Sequence, residues 1–195
     1  MSALGTRPGA VSRYHRSKWA AEEIVRASRL DYTIFRPAII YGPGDGFVNL
    51  FAGIARRSPV LPVMGSGQSR FQPIAVEDVA GCFVRALSEA RSVGETCDLC
   101  GTEVFTLNEI LDAILEVTGR KRLKLHVPLW LARIQAALVE FVFPVLLRKA
   151  APLNRDQLVM LQEDNIGDSQ AAIELFGLKP VLFREGIERY LKRET

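Results

Sequence analysis

Short runs of β-branched and aromatic residues alternate along this chain with longer helical stretches, and that alternation limits the fold more than any other feature. An Ala-, Glu- and Arg-rich stretch from about Ser12 to Ser28 reads as a helix. Ser12 is its expected N-cap, and Trp19, Ala20, Ile24 and Ala27 recur near helical spacing. "LDYTIFRP" follows; Tyr32, Ile34 and Phe35 favour a strand there, and Pro37 ends regular pairing. "IIYGPGDGF" is a turn-rich loop, "VNLFAGIARR" a helix, "PVLPVMG" an extended piece and "GSGQSRFQP" a loop. "IAVEDVAGCFVRALSEA" reads as an extended entry into a helix, and "GETCDLCG" as a strand. "TLNEILDAILEVTG" is a helix capped by Thr106, with Glu109 at the capping-box position. Strands alternating with helices predict an α/β layer with mainly parallel pairing. Near Leu123 the strands are expected to end and apolar helices to take over: Leu129 to Leu147, Asn154 to Gln162, Ser169 to Phe176 and Phe183 to Lys192. The expected division is therefore 1–122 and 123–195.

An apolar share of 48% and a charged share of 24% are those of an ordinary globular domain rather than a disordered or fibrous chain. The net charge of +3 comes without a basic stripe interleaved with aromatics, so no nucleic-acid partner is expected. Glu22, Glu23 and Arg26 alternate in sign as on a solvated helix face. Three cysteines suit a reducing compartment rather than a disulfide framework. "CDLC", Cys97 to Cys100, invites a metal or redox reading. On a strand, however, residues three apart point to opposite faces, and no second Cys pair or nearby His completes a ligand set. No metal is expected. "MSALGTRPGAVSRYHRSK" contains no apolar signal region. The longest apolar run, Val127 to Leu147, is broken by Arg133, Gln135, Glu140 and Pro144, whereas a spanning helix wants about 20 apolar residues. The sequence therefore predicts a cytoplasmic chain with an amphipathic segment.

"SRYHRSKWAAEE" places Tyr14 and Lys18 four residues apart, on one helical face. A phenol titrates near 10, and bringing it to near 7 takes roughly 4 kcal/mol. A neighbouring ammonium and the positive end of a helix both act in that direction. Such a tyrosine would give a proton to a carbonyl oxygen, or take one from an alcohol. The spacing alone is common in helices; the strand and the "IIYGPGD" loop that follow give it context.

"YHRSK", "DYTIFRPAIIYGPGD" and "AVEDVAGCFVRAL", in this order, resemble the short-chain dehydrogenase/reductase superfamily in its extended, epimerase/dehydratase-like form. "SALG" at Ser2 to Gly5, "RFQPIAVEDVA" and the apolar C-terminal helices are most similar to the atypical branch related to the 39-kDa accessory subunit of respiratory complex I. The resemblance spans the whole chain but only the family's second half. It implies the C-terminal half of a Rossmann-like, doubly wound parallel sheet, plus a small, mostly helical substrate region. It implies Tyr14 as acid/base, Lys18 as the cation that lowers the tyrosine pKa and holds the nicotinamide ribose, and Ser2 as a substrate-orienting hydroxyl. Ser2 follows only Met1, so its position is expected to depend on a preceding strand. Pro37, Ala38, Ile39 and Ile40 would pass the nicotinamide carboxamide. Tyr41 and Gly42 would wall the substrate cleft, and Asn49 and Arg70 are candidate polar contacts or plain capping and surface residues.

Ala75 stands where nucleotide-sugar members usually carry His, and Arg70 is shifted in register. Together with the apolar helices, this implies a hydrophobic small-molecule substrate, or docking through Leu129 to Leu147 to a subunit or an inner-membrane surface, unless those helices simply cover the domain core. A homodimer through the helix carrying Tyr14 is also implied. The family's glycine-rich pyrophosphate loop is absent from this sequence. The chain therefore reads as a truncated product or a fragment, expected to bind NAD or NADP in full-length context and weakly or not at all alone. The alternative is a non-catalytic accessory or assembly subunit.

Overall fold

Ser12 opens the first helix: its hydroxyl accepts a hydrogen bond from the His15 N–H at 3.0 Å, and α1 runs Arg13–Ala27. In the computed structural model, residues 1–134 and 155–192 are described. After α1 come β1 (Ile34–Pro37), β2 (Ile40–Tyr41), α2 (Val48–Arg57) and β3 (Val60–Met64). Next are β4 (Arg70–Phe71), β5 (Ile74–Ala75), α3 (Val76–Ala86), β6 (Thr96–Leu99) and β7 (Phe105–Thr106). The chain continues with α4 (Leu107–Val117), β8 (Leu123–Val127), α5 (Arg155–Met160), α6 (Gln170–Phe176) and α7 (Phe183–Leu191). Residues 129–134 are also helical; the rest of the expected Leu129 to Leu147 segment lies outside the described residues.

The α/β reading holds. β1 lies parallel to β6 with Ile34 opposite Thr96, β2 parallel to β5, and β3 parallel to β8; only β4 and β7 run antiparallel among the described strands. The other edge of β1 is taken by residues 2–4. Ser2 N–H donates to the Phe35 carbonyl at 2.7 Å, and Leu4 N–H to the Pro37 carbonyl at 2.9 Å. Two donors and two acceptors, each pair two residues apart, give parallel strand spacing. Ser2 is thus held in place by β1.

Two expectations are corrected. Strands do not end at Leu123, because β8 begins there and pairs with β3 over five residues, Val60↔Leu123 to Met64↔Val127. The 122/123 division therefore falls between two strands of one ladder. Glu22 is not on a solvated face: it is 3% exposed, whereas Ile24 is 73% exposed. The buried face of α1 carries His15 and Glu22, seven residues apart, because Glu22 turns inward to Arg36 on β1.

Two apolar clusters hold the layers. In one, α2, α4 and α7 close over β3 with Phe51, Leu61, Ile110, Ile114 and Ile187. In the other, Phe35, Ile74, Val79, Cys82, Cys97 and Phe176 join β1, β5, β6, α3 and α6. Cys100 belongs instead to a small group with Leu4 and Ala38, so the two "CDLC" sulfurs point into different clusters as strand geometry required. Among the described residues there is no metal-competent cluster, and no helix is long and apolar enough to cross a membrane.

Candidate active site

Tyr14 occupies the first turn of α1, 41% exposed, and Lys18 follows one turn later with its ammonium 5.5 Å from the tyrosine ring centroid. That ammonium also donates to the Met1 carbonyl at 3.3 Å. The helix start does not act as the free positive end that the sequence suggested. Asp156 of α5 accepts from the Arg13 N–H at 2.7 Å and from the Tyr14 N–H at 2.9 Å, placing a carboxylate on those donors. Burial raises the Tyr14 phenol above its ordinary value instead of the ammonium lowering it, which corrects the expected direction. The phenol is therefore a proton holder at neutral pH.

Tyr14 borders a cleft of about 560 Å³. One wall is apolar: Ile39 and Ile40 from the end of β1 and start of β2, Phe47, Leu50 and Phe51 from α2 and its approach, and Phe71 from β4. Met160 and Leu161 continue it. The polar side carries His15, Glu163, Asp164 and Asn165. Asn165 fixes this side to the sheet. Its Oδ1 accepts from the Ile39 N–H at 3.1 Å, its Nδ2 donates to the Leu4 carbonyl at 3.4 Å, and its own N–H donates to the Arg70 carbonyl at 2.7 Å.

Of the residues implied by the resemblance, the structure brings Tyr14, Ile39 and Ile40 to this cleft, with Lys18 beside Tyr14. Pro37 and Ala38 are buried in the sheet, where Ala38 N–H donates to the Leu99 carbonyl at 2.9 Å. Ser2 is buried and does not line the cleft, its hydroxyl donating to Thr6 Oγ1 at 3.3 Å. Tyr41 is 1% exposed and donates to the Val181 carbonyl at 3.4 Å; burial pushes its phenol pKa well up. Gly42 lies in a turn closed by Asp45, whose Oδ1 accepts from the Phe47 and Val48 N–H groups at 2.7 and 2.6 Å. Asn49 serves the same turn, donating to the Gly42 carbonyl and to Asp45 Oδ2, each at 2.9 Å. Arg70 forms a two-pronged pair with Asp164, at 3.0 and 2.7 Å, and is joined to the cleft through that partner and Asn165.

Four residues that shape the site escaped sequence reasoning: His15, Asp156, Glu163 and Asn165. His15 carried a signal, since it adjoins Tyr14 in "YHRSK". The other three lie more than 140 residues from the α1 start and arrive by tertiary approach.

Residues 2–100 match the NAD dependent epimerase/dehydratase family. Over 88% of its length the chain is 32% identical to the mitochondrial NADH dehydrogenase [ubiquinone] 1 alpha subcomplex subunit 9 of Arabidopsis thaliana, covering 44% of that protein. Over 66% of its length it is 38% identical to a ceramide reductase of Caulobacter vibrioides, covering 40% of it. The chain thus spans less than half the length of these curated relatives. Its fold is similar to that of the UDP-glucose 4-epimerase of Thermotoga maritima, solved with UDP-glucose, at a TM-score of 0.73 and 20% identity over 98% of this chain and 60% of that one. It is also similar to that of a dTDP-glucose 4,6-dehydratase of Bacillus anthracis, solved with NAD, at a TM-score of 0.70 and 18% identity over 98% of this chain and 55% of that one.

Proposed function

From the premise that this chain belongs to the NAD dependent epimerase/dehydratase family, we propose that it supplies the proton-transfer residue and the substrate wall of a nicotinamide-dependent oxidoreductase. The carrying observation is the half-exposed Tyr14 phenol on the rim of a largely apolar cleft, with the Lys18 ammonium over its ring and Ile39 and Ile40 on the same wall. These residues fit the nicotinamide end of the cofactor, NAD or NADP: Lys18 would hold it from one side, and Ile39 and Ile40 from the other. When bound, it supplies or accepts a hydride at the substrate carbon. Burial, by raising its pKa, keeps a proton on Tyr14 Oη at neutral pH, so the phenol has one to give to a carbonyl oxygen as hydride reaches the adjoining carbon. Phe47, Leu50, Phe51 and Phe71 exclude water and favour a hydrophobic substrate over a sugar.

A second reading is favoured by two observations: the closure of the α1 start by Asp156, and the exposure of Trp130 and Leu131, at 65% and 44%. In it the fold is retained as an accessory subunit that docks to other chains through its apolar helices, possession of the Tyr14–Lys18 pair being incidental. Tyr14→Phe in the longest natural form of the protein separates the two. The catalytic reading expects turnover to fall at least about a hundredfold, the scale of a lost general acid, with unchanged thermal unfolding. Unchanged turnover, or full assembly function with none, supports the docking reading instead.

A further inference from the structure

His15 is 3% exposed, and neither of its ring nitrogens makes a well-formed hydrogen bond, the Leu4 backbone contact being a weak one. Glu163 gives Oε1 to Arg7 at 2.8 Å, while its Oε2 is buried and equally without a partner. His15 Nδ1 and Glu163 Oε2 stand 3.9 Å apart, too far to bond each other. An oxygen placed ~2.8 Å from both would bridge them. Both residues line the Tyr14 cleft, and the unpartnered atoms lie buried within its wall. Buried polar atoms are nearly always paired in folded proteins, so a matched open pair in residues of a cavity wall marks a place for a polar group from outside the chain.

The chemistry of that group is narrow. Burial lowers the His15 pKa more than the Glu163 carboxylate raises it, leaving a neutral imidazole with one N–H donor and one acceptor. An anion would face the Glu163 carboxylate. A cation would compete with Arg7, which already neutralises it. A hydroxyl satisfies both partners, donating to Glu163 Oε2 and accepting from the imidazole N–H. We propose that His15 and Glu163 form the polar end of a ligand site whose occupant is an amphiphile, a hydroxyl group joined to an aliphatic chain that lies along Phe47, Leu50, Phe51 and Phe71. The proposal rests on the reading of this cleft as a substrate site but does not require Tyr14 to move a proton.

The chain contains two histidines, so selective ¹⁵N labelling of histidine yields only the His15 and His126 rings. The 195-residue chain is titrated with 1-octanol and, separately, with 1-methoxyheptane, which has the same number of heavy atoms but no hydroxyl. Octanol is expected to shift the His15 ring nitrogens and leave His126 in place, and to bind about tenfold more tightly than the ether, the discrimination of one well-made hydrogen bond. His15→Phe should bring that ratio to about one. Should that variant fail to fold, Glu163→Ala, at a partly exposed side chain, reads out the same loss. The proposal is overturned if the ether binds as tightly as octanol, or if octanol leaves His15 unmoved, as it would were the pair simply hydrated. Failure here alongside lost turnover in Tyr14→Phe would remove the hydroxyl site while leaving the catalytic reading standing.

Discussion

Glu22 shows how one residue can contradict its own sequence context. Beside Glu23 and Arg26 it reads as surface, yet its side chain is 2% exposed. It accepts from Arg36 Nε at 2.8 Å and Nη2 at 2.7 Å, and pairs with Arg26 at 2.8 Å. Burial pushes its carboxyl pKa up, but hydrogen bonding led by Arg36, with Arg26, outweighs it and holds the group below its ordinary 4.5. Because the folded pKa lies below the unfolded one, the stabilisation is complete above about pH 4.5 and fades as pH falls further. Glu22→Gln leaves Arg36 with an incomplete partner inside the fold. It should lose about 3 kcal/mol of unfolding free energy at neutral pH, measured by urea titration, with a gap that narrows as the pH drops below 4.5. A gap constant down to pH 3 would show that packing, not charge, is at stake.

At the level of elements, α7 is keyed to β2 by a missing side chain. A Cβ on Gly186 would lie 2.7 Å from Tyr41 Cζ and closer still to the hydroxyl, and Tyr41 also meets Phe183 edge-on at a centroid distance of 5.1 Å. In an open helix, Gly→Ala would gain about 0.5–1 kcal/mol. Here the overlap dominates, and Gly186→Ala should instead lose about 1–3 kcal/mol. The loss should largely vanish when introduced into Tyr41→Leu, so a double-mutant cycle by thermal unfolding reads the contact directly. The sequence could place Tyr41 at a strand end before a glycine-rich turn, and assigned it to substrate. What it could not show is that α7, about 145 residues onward, fills the space on which the ring rests. β8 was missed differently. "LKLHV" alternates as strands do, but its leucines, 68% and 54% exposed, earn the strand from backbone pairing with β3 rather than from burial.

Across the whole molecule, the two apolar clusters and the β3–β8 pairing join residues from both sides of position 122. Cys82, Cys97 and Cys100 are all free and buried, in two different clusters. Burial raises the Cys97 thiol to about 11 and the Cys100 thiol to about 12, so neither is a nucleophile near neutrality. The native chain should therefore react with a thiol reagent such as DTNB only as fast as it unfolds, releasing all three equivalents in denaturant. A thiol titrating promptly in buffer would contradict the packing of β6. The N-terminal segment, the β1–β2 link and β4 also meet at Asn165, the first two through its side-chain amide and the third through its backbone N–H.

Local spacing settled what depends on local geometry: the Ser12 and Thr106 caps, the strand–helix alternation, Tyr14 and Lys18 on one helix face, and the divergence of Cys97 and Cys100. Helix and strand repeats are fixed by the backbone, so i to i+4 neighbours and alternating faces can be read directly from the chain. Tertiary structure alone decided which of those residues lose water and what they then face. It turned Glu22 and His15 inward, laid Asp156 across the start of α1, and reversed the expected shift of the Tyr14 phenol. Desolvation and charge pairing are set by groups brought together from 140 residues away, and no local repeat encodes that approach.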